Sequence, residues 1–73
     1  MILNREALSV IRERTGYSQA QLAARAGVDR TLVFRLEQGT RNASPTVIRK
    51  LADALGVPLH AILGPESASS EVA

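Results

Sequence analysis

Punctuation is what most constrains this chain. Asn4, Ser18, Asp29 and Ser44 each stand where a helix can start, and Gly16, Gly27, Gly39 and Gly56 each stand where one can stop. Asparagine, serine and aspartate side chains accept hydrogen bonds from the free N–H groups of a first helical turn. Glycine takes up the left-handed conformation that closes a last turn. The pattern therefore predicts four short helices, over about 5–15, 19–26, 29–38 and 45–55. Ser18 and Gln21 have the spacing of a capping box, and Pro45 suits a first helical position. Leu3 with Leu8, Tyr17 with Leu22, and Val28 with Val33 are spaced as hydrophobic staples around three of the starts. Pro58 can open a short fifth helix, "PLHAIL", which Gly64-Pro65 terminates. No stretch alternates with period two, so no strand is expected.

A chain of 73 residues builds one domain around a single modest core. Apolar residues at helical spacing supply that core: Leu8, Ile11, Leu22, Ala23, Val28, Val33, Leu36, Ile48, Leu51, Ala52, Leu55, Val57, Ile62 and Leu63, with Tyr17 beside them. The expected domain is residues 1–64, and the small, polar segment 65–73 is expected to be a disordered tail. There is no cysteine, hence no disulfide frame and no thiolate metal site. The lone His60 assembles neither a metal site nor a catalytic triad. No catalytic residue, metal, cofactor or small-molecule ligand is expected, nor any enzymatic activity. The start "MILNREALSV" is too short and too polar for a signal peptide, and no apolar run reaches the length of a membrane span. A reducing, cytoplasmic setting is expected.

The formal net charge of +2 understates how basic the chain is. All nine Lys and Arg lie between Arg5 and Lys50, whereas Glu66 and Glu71 sit in the tail. Such a balance mildly favours a polyanionic partner.

The third helix concentrates that charge. In "GVDRTLVFRLEQG", residues 27–39, successive side chains fall about 100° apart around the axis. Val33 and Leu36 then share one side, while Arg30, Thr31, Phe34, Arg35 and Gln38 crowd the opposite arc. A short surface helix ordinarily shows water a face of mixed charge. This arc has two arginines, no acid and a phenylalanine. Two short helices joined by "AGVD", the second with an outward basic face, describe a helix-turn-helix; the other possibility is an ordinary pair of helices inside a small bundle. In a helix-turn-helix the second helix enters the major groove of DNA.

A longer stretch carries a more specific signal. Ser18-Gln19, Leu22-Ala23, Gly27-Val28, Glu37 before Gly39, and Leu51-Ala52 followed by Leu55-Gly56-Val57 stand together in order. With them the chain closely resembles the xenobiotic-response-element (XRE) family of helix-turn-helix proteins, which includes the repressors and Cro proteins of lambdoid phages. The resemblance covers about residues 4–63. It implies an all-α, compact five-helix domain of the lambda repressor type, with the helix-turn-helix at helices 2 and 3. One departure stands in the loop. The family often has proline just after the loop asparagine, where this chain has Ala43, with proline at Pro45. That departure bears on the path of residues 40–44.

The resemblance also implies roles. Arg30, Thr31 and Arg35 match the base-reading positions. Arginine suits guanine, whose O6 and N7 its fork can bond together, and threonine can offer a hydroxyl to a base or a methyl to thymine. Phe34 stands where the family usually has a small or polar residue; a thymine methyl or sugar, packing under Arg30, or another protein are its possible partners. Leu32 borders the same face. Gln19 matches a position that grips a DNA phosphate at a helix N-terminus. Gln38, Arg41 and Asn42, and more weakly Thr40, have the chemistry for backbone contacts. Arg12 and Glu37 match a pair that joins the first helix to the third and orients the recognition helix. Arg5, Arg14, Arg25, Arg49 and Lys50 read as solvated charges.

The function implied is that of a sequence-specific DNA-binding transcriptional regulator of Cro or repressor type. One such domain buries little surface on DNA, so a homodimer on an inverted-repeat operator is expected. The apolar segment "VPLHAIL" is the expected interface. The rival reading is a protein-interaction module, for example an antitoxin, using Phe34 and the same C-terminal segment.

Overall fold

The structure, a computed structural model, describes residues 1–64. The expected tail, 65–73, lies outside the described residues. Four α-helices follow one another: α1 (Arg5–Thr15), α2 (Gln19–Ala26), α3 (Arg30–Gln38) and α4 (Pro45–Leu55). A 3-10 turn, Leu59–Ile62, closes the order.

The starts are made by local chemistry. The Asn4 side chain accepts from the backbone N–H groups of Glu6 and Ala7, at 3.1 and 3.2 Å. At α2 the Gln21 N–H donates to Ser18 Oγ at 3.0 Å, and the Ser18 N–H donates to Gln21 Oε1 at 2.8 Å. This reciprocal pair satisfies two donors that the helix itself leaves open. Ser44 caps α4 through Val47 N–H at 3.2 Å, with Pro45 in the first turn. Asp29 occupies the capping position of α3, but its side chain makes no capping hydrogen bond. Only the Asp29 carbonyl serves that turn, accepting from Leu32 and Val33.

The expected fifth helix is corrected to a four-residue 3-10 turn. Pro58 enters it extended, at ψ 152°, and Leu63 leaves it extended, at φ −93° and ψ 145°. The backbone at this point is drawn off by the N-terminal segment. Asn4 N–H donates to Ile62 O at 2.8 Å and Gly64 N–H donates to Ile2 O at 2.7 Å, around an antiparallel bridge between Leu3 and Leu63. Bonding to residues 2–4 fixes the carbonyls and N–H groups that another helical turn would have used. The bridge is a single residue pair, too short to leave a periodicity of two in the sequence.

The core gathers Leu8 of α1, Leu22 of α2, Val33 and Leu36 of α3, Ile48 and Leu51 of α4, and Ile62 of the turn, all with at most 1% exposure. Each such side chain contributes roughly 1.5–3 kcal/mol relative to its exposed state. Ala23, Ala26, Ala52 and Leu55 complete the buried set. Ile11, Tyr17, Val28, Val57 and Leu63 are half-buried against it, forming the rim of the core rather than its centre. Ala26 joins the core unexpectedly, facing inward at the end of α2. α2 packs against both α3 and α4, and α1 against α3, so α3 is supported from two sides.

Candidate nucleic-acid interface

The turn between α2 and α3 fixes how α3 is displayed. Gly27, at φ 71°, ends α2, and Val28 N–H donates back to Ala23 O at 3.0 Å. The chain then re-enters a helix with Val33 and Leu36 buried. Arg30, Thr31, Phe34, Arg35 and Gln38 are all exposed, whereas Leu32 and Glu37 are half-buried. Phe34 keeps 45% of its surface accessible. It shares a shallow depression with Arg30 and Thr31 of α3 and with Ser18, Gln19 and Ala20 at the start of α2. The only acid on α3, Glu37, points to the back.

That back face is held by a connected set of hydrogen bonds. Arg12 of α1 grips Glu37 with two guanidinium nitrogens: Nε to Oε2 at 2.6 Å and Nη2 to Oε1 at 3.0 Å. Its third nitrogen, Nη1, donates to the Tyr17 carbonyl at 2.8 Å. Gln19 Nε2 donates to Glu37 Oε1 at 3.1 Å. One carboxylate thus ties α1, the start of α2 and α3 together. The side chains of Arg12 and Glu37 are 13% and 8% exposed. The hydrogen bond that Arg12 donates to Glu37 raises the Arg12 pKa above its ordinary value, against the opposing effect of burial. The net stabilisation from such a desolvated pair is small, but each partner without the other is a buried uncompensated charge. Its consequence is orientation: α3 cannot roll without breaking both arms of the fork.

Gln19, expected at a phosphate, therefore spends one amide hydrogen on Glu37. Its second amide hydrogen and its place at the first turn of α2 are not engaged by that bond. Gln38 is exposed, and its backbone carbonyl accepts from Arg5 Nη1 at 2.8 Å. Thr40 donates from both N–H and hydroxyl to the Arg35 carbonyl, at 3.1 and 3.4 Å, and so finishes α3. Arg41 and Asn42 are exposed just beyond, in a depression shared with Asn4, Arg5 and Gly39.

Arg5 is the participant that the sequence does not announce. It reaches from the first turn of α1 to the C-terminal end of α3, where a cation complements the partial negative charge of the helix end. Gly39, at φ 79°, makes room for it. A side chain at that position would run into the Arg5 guanidinium. The contact spans 33 residues of sequence and follows no short motif, so no local pattern could have flagged it. Among the described residues, no group of three or more His, Cys, Asp and Glu could hold a metal ion, and no helix is long and apolar enough to cross a membrane.

Comparison with known proteins agrees with this geometry. A helix-turn-helix family model matches residues 8–62. The hypothetical transcription factor of Neisseria meningitidis serogroup B is 38% identical over 58 residues, which are 80% of this chain and 55% of that protein. The chain thus spans about half the length of this curated relative. Among solved structures, the restriction-modification controller protein C.AhdI of Aeromonas hydrophila superimposes with a TM-score of 0.77 at 38% identity, covering 78% of this chain and 86% of that one. The biofilm master regulator SinR of Bacillus subtilis, in complex with DNA, superimposes with a TM-score of 0.74 at 28% identity, covering 78% and 95%. With more than half of its length matched, the chain belongs to the XRE family of helix-turn-helix proteins, a family of DNA-binding transcription regulators.

Proposed function

We propose that this chain is a sequence-specific transcriptional regulator of Cro or repressor type that reads the major groove of double-stranded DNA with α3. The observation that carries the proposal is the outward arc of α3. It is exposed, basic and free of acid, while the single acid of the helix is held behind it by Arg12 and Gln19. In this reading Arg30, Thr31 and Arg35 contact base edges, joined by Phe34. Arg41 and Asn42 hold phosphates where the chain leaves α3, with Gln38 and Thr40 beside them. Gln19 grips a phosphate with the amide hydrogen that Glu37 leaves free, helped by the open N–H groups at the start of α2.

The regulator acts in the cytoplasm as a homodimer on an inverted repeat, with half-sites about 10 bp apart or a multiple of that. The C-terminal segment contributes to its interface, though with less apolar surface than its composition offers. Ile62 is wholly buried, and Val57, Leu59 and Leu63 lean on the core. The exposed apolar residues nearby in the fold are Met1 and Ile2, whose strand-like segment pairs with residues 62–64. The interaction-module reading leaned on the same C-terminal segment, most of which the core absorbs, and on Phe34, which sits among the basic residues of α3.

Salt dependence tests the proposal. Several phosphate contacts per dimer release as many counterions, so affinity for a selected duplex falls by about a thousandfold between about 50 and 200 mM salt. An affinity that hardly changes over that range contradicts groove binding.

A further inference from the structure

Phe34 departs from what a solvated helix face needs. Among the described residues, four large apolar side chains are markedly exposed, and Phe34 is the one that lies on α3. It is one helical turn from Arg30, and both line the depression with Thr31 and Gln19. No acid borders that depression, so its chemistry suits the electronegative floor of a DNA groove rather than a basic surface.

The floor of the major groove offers a phenyl ring little to touch. Every base pair presents donors and acceptors there, and the single apolar group is the methyl on C5 of thymine. A ring laid over a cytosine amino group or a purine N7 strips water from a polar atom and returns no hydrogen bond. A ring laid over a methyl buries apolar surface on both sides. Arg30 next to it has the fork for guanine O6 and N7. Side chains one helical turn apart are about 5–6 Å from each other at Cβ. Successive bases of a strand are about 3.4 Å apart, so the two side chains address neighbouring base pairs.

From this juxtaposition we infer that Phe34 and Arg30 together read a two-base step, in which a 5-methylpyrimidine adjoins a guanine. Phe34 takes the methyl and Arg30 takes the guanine. Thymine is the ordinary occupant, and 5-methylcytosine, which presents the same methyl, is accepted in its place. The inference rests on α3 lying in a major groove, as proposed above.

The test uses pairs of duplexes that differ by one methyl. A site selected from random DNA is resynthesised with deoxyuridine in place of each thymine in turn, which removes the methyl and leaves base pairing intact. At the thymine beside the critical guanine, the parent protein binds about fourfold more weakly per half-site, the loss expected for one buried methyl group. Cytosine and 5-methylcytosine at that position repeat the contrast. Phe34→Ala, checked for an unchanged fold by its melting curve, binds the members of each pair equally, whereas Val10→Ala, which removes an exposed apolar side chain on α1 away from α3, keeps the parent's preference. The inference is overturned if no thymine beside a guanine shows the effect in the parent, or if Phe34→Ala keeps the full effect. A protein that selects no sequence at all overturns the proposed function, and this reading with it.

Discussion

The two halves of α3 are built differently. In the first half, Arg30, Thr31 and Phe34 are exposed, and no hydrogen bond or ion pair to a described residue holds the side chains of Arg30 and Thr31. In the second half the Glu37 side chain and the closing backbone carbonyls are tied down. Glu37 is gripped by Arg12 and Gln19, the Gln38 carbonyl by Arg5, and the Arg35 carbonyl by Thr40. The lesson is a division of labour along nine residues. One end locates the helix against the rest of the domain, and the other stays available for a partner. Arg35 bridges the two, its carbonyl in the tethered end and its guanidinium free on the outward arc.

Breaking the tethered half has the largest effect on the domain itself. Glu37→Ala leaves the Arg12 guanidinium half-buried without its carboxylate, and Arg12→Ala does the converse. Each is expected to lower stability by roughly 1–3 kcal/mol, read as a shift in urea or thermal midpoint. Two variants that melt like the parent dissolve the distinction between the halves.

A smaller loss is expected at the end of the same half. Gly39→Ala puts a Cβ where the backbone is left-handed and where Arg5 lies. About 1–2 kcal/mol follows from the conformation alone, and displacing Arg5 adds to it. Arg5→Ala in the same background sharpens the point: it relieves the crowding, so the double variant loses less than the two single losses added together. Strict additivity would mean that Arg5 and Gly39 do not meet in solution.

The smallest effect contrasts two helix starts. Ser18→Ala removes a side-chain cap that the structure shows in use and costs about 1 kcal/mol. Asp29→Ala removes a side chain that makes no capping bond and is expected to cost much less. Equal losses at the two positions would show that Asp29 caps α3 after all.

How far the sequence disclosed this arrangement depends on the range of each interaction. The helices were legible because their starts and stops are local: Asn4, Ser18 and Ser44 bond to groups two or three residues away. The core was legible because Leu8, Leu22, Val33, Leu36, Ile48 and Leu51 repeat at helical spacing. Ala26 was missed because so small a side chain gives no strong apolar signal on either face. The fifth helix was overestimated because its competitor, the backbone of residues 2–4, stands almost the whole chain away. Proline and glycine bracket the segment correctly but say nothing about that partner. At the site, the outward arc of α3 could be counted off residue by residue. Arg12 and Glu37 emerged only through resemblance to a family, since 25 residues separate them. Arg5 had no local pattern to mark it, since its partner on α3 lies 33 residues away.

The central claim is that the exposed arc of α3 reads sequence while Gln19, at the hinge of the tethered network, grips the DNA without reading it. Selection from randomised duplex DNA with the parent, Arg35→Ala and Gln19→Ala tests this most directly. A lost base contact costs about 1–3 kcal/mol and relaxes preference at one position, whereas a lost backbone contact weakens all sequences alike. Arg35→Ala is expected to flatten one or two positions of the selected site. Gln19→Ala is expected to return the parent's site at lower affinity. If Arg35→Ala recovers the parent's full preference, or Gln19→Ala changes which bases are chosen, the division of labour between the exposed arc of α3 and Gln19 of α2 is wrong.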